Sequence, residues 1–294
     1  MTVKYLVLSA GAYRGINFVG SLSHLFKEKI INRSEIKEIY SVSVGAIIGL
    51  MVLLKNDWDE IVDFFVNRPW EKTLNKLLPQ SLLINLYNNK GVIDNNFIKT
   101  IIENVLKSNG LKIDITLKEL YEYSGVLIHI YSTRLNDFNL VDFNHTTYPD
   151  VKLIDAISMS SCLPIIFKPH YFENSYYIDG GFNNFYPVKM CIQNIGEENK
   201  DEILSIVIND DKTIINETDG LFSYLFNIFT KIKDNCDEGN SSYGLIKNEI
   251  IIGSKQLNME SLINMINKKE HRQQEFDYGV ECAKIFMEKL QNSM

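Results

Sequence analysis

The stretch Tyr5-Leu6-Val7-Leu8-Ser9-Ala10-Gly11-Ala12-Tyr13-Arg14-Gly15-Ile16 decides how this chain folds. Tyr5 to Ser9 is a short apolar run that ends in small residues, the pattern of a buried strand. From Ile16 the spacing changes. Ile16, Val19, Leu22, Leu25 and Phe26 recur at steps of three and four, which is one face of a helix. The chain therefore opens on a strand, a small-residue turn and a helix. The unit repeats at once, with Glu38 to Ser41 as strand, Ser43 at a turn and Val44 to Leu54 as a buried helix. Alternating strands and helices predict an α/β layered fold with a largely parallel sheet.

Further along, Asp94 is placed to cap a helix over Asn95 to Ser108, which Asn109-Gly110 stops. Thr116-Leu117-Lys118-Glu119 has capping-box spacing. Val126 to Thr133 and Asn139 to Asn144 read as paired strands, and Tyr176 to Asp179 and Ile203 to Ile208 as further strands. Met259 to Leu290 reads as mostly helical. Between them, Asp210 to Asn258 fits a lid or cover, and the apolar run from Leu221 to Ile232 suits a core, membrane-seated or partner-seated helix.

A chain of 294 residues, 45% of them hydrophobic, buries a large core without staples. Its net charge of −7 argues against a nucleic-acid partner held by phosphate neutralisation. Cys162, Cys191, Cys236 and Cys282 are far apart with no CxxC, which fits free thiols in a reducing, cytoplasmic setting. The apolar start is too short for a signal peptide. The longest uncharged run, Ile39 to Leu54, has 16 residues, and at about 1.5 Å each it falls short of the roughly 30 Å hydrocarbon layer. No transmembrane helix is expected. Histidines and carboxylates show no metal-ligand spacing, so no metal or cofactor is expected either.

Three short motifs carry chemistry. Ser41-Val42-Ser43-Val44-Gly45 has the outline of G-x-S-x-G with Ser in the first position. That pattern builds a tight strand-to-helix turn with a serine at its apex, and the helix N-terminus behind it favours developing negative charge. Read without function, it is a Ser-Gly turn beneath a core helix. Ala10-Gly11-Ala12-Tyr13-Arg14-Gly15 exposes backbone N–H groups able to hold an anion, or is an ordinary βα turn. It lacks the Rossmann glycines and the Walker lysine. Ile178-Asp179-Gly180-Gly181 is, alone, a turn signal.

Taken in order, the three motifs resemble the patatin-like phospholipase family. Leu6 to Gly15 is similar to that family's strand and G-G-G-x-R-G loop, and Ser43-Val44-Gly45-Ala46-Ile47-Ile48 to its S-A-G-A-I-I. Asp155 to Pro164, Phe167-Lys168-Pro169, Tyr177 to Gly181 and Asn184 to Val188 follow its approach to an aspartate. The resemblance covers roughly residues 4–210. Asp277-Tyr278-Gly279 and Ala283 extend it into the C-terminal helix.

The resemblance implies a three-layer α/β/α sandwich forming one unit over 1–294, with 211–294 as a helical extension or cover. It implies a phospholipase A-type lipid acyl hydrolase working through an acyl-enzyme. Ser43 would be the nucleophile and Asp179 its base. Backbone N–H groups of Ala10, Gly11 and Ala12 would form the oxyanion hole, and Arg14 would meet the lipid phosphate or cap a carbonyl. Gly15, Gly45, Gly180 and Gly181 complete the motifs. The implied partners are a phospholipid or other acyl lipid and a peripheral membrane surface; the sequence names no protein activator. The chain departs from the family at Ala10, Ala12 and Ser41. Because Ser43 and Asp179 are both present, Ala10 and Ala12 are expected at negative φ. Two alternatives remain: a lipid- or partner-binding pseudoenzyme, and an esterase with the triad Ser43, Asp179 and His271.

Overall fold

β1 (Tyr5–Leu8) buries Leu6, Val7 and Leu8 completely. Successive strand side chains point to opposite faces, so both faces of the sheet here are covered. The computed structural model describes residues 2–54, 56–72, 82–94, 96–210, 243–254 and 259–292, together with 220, 224, 227, 228 and 231. After β1 come α1 (Gly15–Lys27), β2 (Glu38–Val42), α2 (Val44–Leu53) and α3 (Trp58–Val66). α4 (Leu82–Asn89), β3 (Gly91–Ile93), α5 (Asn96–Ser108) and α6 (Leu117–Ser124) lead to β4 (Leu127–Arg134) and β5 (Asn139–Phe143). Then follow α7 (Leu153–Ser160), β6 (Ile165–Phe167), β7 (His170–Phe172), β8 (Ser175–Asp179) and α8 (Val188–Ile195). β9 (Ile203–Asp210), β10 (Glu249–Ser254), α9 (Met259–Asn267) and α10 (Lys269–Asn292) complete the described elements.

The strands β10, β9, β1, β2 and β4 lie side by side and parallel in that order. β8 and then β7 add on antiparallel. The result is the α/β fold expected, a central and mostly parallel sheet between helices.

One detail of register builds the site. Ile130 and Tyr131 pair with both β2 and β5, while Ser132 to Arg134 pair with both β8 and β5. A strand has two edges, so β2 and β8 must follow each other along one edge of β4. Val42 lies beside Tyr131 and Asp179 beside Ser132. The C-terminal ends of β2 and β8 thus meet head-on.

Local signals place the helix ends. The Thr116 capping box is complete, with Glu119 N–H donating to Thr116 Oγ1 at 3.1 Å and Thr116 N–H to Glu119 Oε2 at 2.8 Å. Asp94 Oδ1 accepts from Asn96 N–H at 2.7 Å, and Gly110 stands at φ 69° just past α5. α10 packs along α1, where Ser21 Oγ donates to the Gly279 carbonyl at 2.7 Å and Asn17 Nδ2 to the Glu275 carbonyl at 2.7 Å. Met259 to Leu290 is mostly helical as expected, in two helices that break at Lys268. The apolar run from Leu221 lies mostly outside the described residues, as does Cys236. Among the described residues Cys162, Cys191 and Cys282 are buried and none is in a disulfide.

Beneath β2 a buried polar cluster joins three strands. His129 Nδ1 meets Asp142 Oδ2 at 2.6 Å, its Nε2 lies 3.7 Å from Glu38 Oε2, and its ring stacks on Tyr40 with centroids 4.3 Å apart. Burial alone would depress the His129 pKa, but the hydrogen bond to Asp142 and the nearby Glu38 carboxylate outweigh it and raise it to about 9. A histidine raised on folding stabilises fully below its unfolded value, near 6.5, and that contribution fades as pH rises through about 9. The urea midpoint is therefore expected to fall between pH 7 and pH 10, by a loss on the order of a few kcal/mol. His129→Gln should lack most of that slope; an equal slope in the variant would place the effect elsewhere.

Candidate active site

Ser43 sits between β2 and α2 at φ 56° and ψ −124°, a conformation that costs a non-glycine residue about 1–3 kcal/mol. Two backbone contacts hold it, one of them relayed to Tyr131. Its N–H donates to Ser160 Oγ at 2.8 Å, Ser160 Oγ donates to the Tyr131 carbonyl at 2.6 Å, and its own carbonyl accepts from Ala46 N–H at 2.9 Å. Gly45 is required beside it, because a Cβ there would stand 2.6 Å from the Leu8 carbonyl oxygen and 2.7 Å from that of Ser9. Ser41, by contrast, tolerates its side chain. It is fully buried and donates to the His129 carbonyl at 2.8 Å.

Asp179 ends β8. Its Oδ2 accepts from Ser43 Oγ at 2.5 Å, and its Oδ1 accepts from Gly181 N–H at 2.8 Å. The two side chains are 4% and 3% exposed, so the pair lies out of bulk water. Gly180 turns the chain immediately after the carboxylate, and a Cβ on it would collide with the Tyr131 carbonyl. That same carbonyl anchors Ser160, so one peptide group supports both halves of the pair.

The loop after β1 departs from expectation in two ways. Ala10 N–H donates to the Phe185 carbonyl at 2.9 Å, which removes it as a free donor and ties the loop to the segment after Asp179. Ala12 lies at φ 49°, not at negative φ. There the chain must reverse into a short 3-10 turn over Ala12–Arg14, with Arg14 N–H donating to the Gly11 carbonyl at 3.0 Å. Gly11 is at φ −179°. Among the described residues, the N–H groups of Gly11 and Ala12 have no acceptor. An L-residue held at positive φ carries about 1 kcal/mol of strain. Ala12→Gly is therefore expected to raise unfolding stability by about 1 kcal/mol, with turnover changed less than tenfold. A loss of stability in urea titration would contradict the strain.

Arg14 is placed differently from the loop donors. It is 3% exposed, lies under the Tyr13 ring and does not line the cavity beside Ser43. Burial pulls its pKa down to about 10, against the favourable charges of Tyr13, Glu275 and Tyr243. Gly15 packs against Val44, on the loop side of α2. His271 is on α10, where Nδ1 meets Gln274 Oε1 at 3.2 Å; neither Ser43 nor Asp179 is its partner. Among the described residues no cluster of three His, Cys, Asp or Glu could hold a metal. Nor is any helix there long and apolar enough to cross a membrane.

A cavity of about 220 Å³ opens beside Ser43. Its wall is almost wholly apolar and draws on residues far apart in sequence, from Ile16 and Ile47 to Phe97, Phe167 and Met265. Sequence reasoning missed this wall and Ser160. The latter had a faint signal, the serines Ser158 and Ser160 buried at the end of a mostly apolar helix.

Similar proteins fit this arrangement. The chain is 28% identical over 197 residues to a protein named probable lipid hydrolase 463L from Invertebrate iridescent virus 6. That match covers 67% of this chain and 66% of the relative, so it spans just under two thirds of the relative's length. Among solved structures, VipD from Legionella pneumophila superposes with a TM-score of 0.59 at 14% identity, over 98% of this chain and 67% of that one. ExoU from Pseudomonas aeruginosa, in its complex with SpcU, superposes with a TM-score of 0.50 at 13% identity, over 98% of this chain and 52% of that one. The sequence profile of the patatin-like phospholipases matches residues 6–192, well over half the chain and the part that holds Ser43, Asp179 and the loop between β1 and α1. On that match the chain belongs to the patatin-like phospholipase family of lipid hydrolases.

Proposed function

We propose that the protein is a serine lipid acyl hydrolase of phospholipase A type, acting on acyl lipids at a membrane surface through a Ser43–Asp179 dyad. The observation that carries this reading is the 2.5 Å hydrogen bond from Ser43 Oγ to Asp179 Oδ2 at the wall of an apolar cavity. Free carboxylates are weak bases. Here, however, the hydroxyl proton already lies along a bond to the carboxylate, and Gly181 N–H keeps the other oxygen aimed.

Ser43 Oγ attacks the ester carbonyl carbon as its proton passes to Asp179 Oδ2. The carbonyl oxygen becomes an oxyanion, held by the N–H groups of Gly11 and Ala12 and by the N-terminus of α2. The tetrahedral intermediate collapses, the alcohol leaves with the proton from Asp179, and the acyl group stays on Ser43. Water, deprotonated by Asp179, then releases the fatty acid by the same steps. No metal enters this scheme.

Phosphatidylcholine vesicles test the reading. Fatty acid and lysophospholipid should appear with the protein and not with Ser43→Ala. Vesicle binding by both proteins without acyl release by either would favour the pseudoenzyme.

A further inference from the structure

One wall of the cavity comes from the C-terminal part of the chain. Leu262, Met265 and Ile266 of α9 line it, opposite Phe97, Ile98 and Ile101 of α5. The α9 residues lie outside the 6–192 match to the family, so this wall belongs to the chain's own extension. Met265 is buried with Ile16 and Val66 in a small apolar cluster separate from the main core.

Arg272 helps to fix α9 in place. Arg272 on α10 donates from Nη1 to the Met265 and Ile266 carbonyls at 2.9 and 3.0 Å. Its Nε donates to the Val66 carbonyl at 2.8 Å and its Nη2 to the Arg68 carbonyl at 3.1 Å. These carbonyls lie at or just past the C-terminal ends of α9 and α3, where a helix leaves acceptors without partners. A cation there also meets the negative ends of both helix dipoles. α9 is thus tied to α3, whose Phe65 lines the same cavity, and the space they help to enclose is about 220 Å³.

That size limits the occupant. An apolar cavity of about 150 Å³ takes one benzene ring; scaled to 220 Å³, the volume suits about nine carbons of one unbranched chain. We propose that α9 acts as an acyl-chain gauge: the cavity takes about nine carbons of the acyl chain, and the bulk of Met265 and Leu262 on its wall limits how many it admits. The substrate class is an ester whose acyl chain is straight and at least that long. This inference rests on Ser43 as the acylated residue.

Each methylene taken from water into the cavity should raise kcat/KM about fourfold. Across p-nitrophenyl esters from acetate to palmitate, kcat/KM is expected to climb at that rate to about nine carbons and then level off. In Met265→Trp the plateau should come earlier, and the decanoate-to-acetate ratio of kcat/KM should drop at least tenfold. Leu262→Trp, at a half-buried position on the same wall, should do the same and decides the matter if Met265→Trp does not fold by circular dichroism. A flat series in the native protein, or an unmoved plateau in the folded variants, would overturn the gauge. Acetate hydrolysis that survives Ser43→Ala would instead overturn the reading of Ser43 and is seen in a separate arm.

Discussion

Ser43→Ala and Asp179→Asn should each lower ester hydrolysis by about 10⁴-fold, and the double variant should be little worse than either. The two groups share one hydrogen bond and one proton, so removing either leaves the other without a role. Asparagine in place of Asp179 keeps an acceptor for Gly181 N–H, so the turn survives while the base is lost. Additive losses in a double-mutant cycle on a soluble ester would mean that the two act separately. Asp179→Asn with near-native turnover would remove the carboxylate from the mechanism altogether.

Gly180→Ala is the second large effect, although residue 180 touches no substrate. Its new methyl would meet the Tyr131 carbonyl, with Val42 Cγ1 3.0 Å away on the other strand. Neither is the free end of a flexible side chain, so backbone must move. Overpacking of this kind costs about 1–3 kcal/mol. The Tyr131 carbonyl also accepts the Ser160 hydroxyl that holds the Ser43 N–H, so the displacement reaches Ser43 as well as Asp179. Turnover is expected to fall at least 100-fold, and the urea midpoint with it, since reacting atoms displaced by about 1 Å cost that much. A folded Gly180→Ala protein with native activity would show that the Tyr131 carbonyl does not support the pair.

The parts of this site that were legible in sequence are those where small residues are forced by nearby backbone. Gly45 and Gly180 each face a carbonyl oxygen, and the same constraint marks Ser43 and Asp179 beside them. β1, β2 and the helices after them were readable because apolar spacing changes from strand to helix at the turns. β3, β6 and β7 have three residues each, too few for any period to show. The cavity wall was hidden for another reason. An apolar residue on a helix reads the same whether it faces a packed core or an empty space, and α5 and α9 come together only in the fold. Arg14 shows the limit for charge, since its place beside the loop was legible but not its burial. Ala12 shows the limit for backbone, since alanine gives no sign of a positive φ.

A fluorophosphonate probe tests the central claim most directly, because it needs an activated serine and no knowledge of the lipid. Incubated with the native protein and mapped by mass spectrometry, it should modify Ser43 with one adduct per chain. Labelling should be lost in Ser43→Ala and nearly lost in Asp179→Asn, while Ser41→Ala labels as the native protein does. A native protein that stays unmodified, or an adduct on any other serine, would contradict the account.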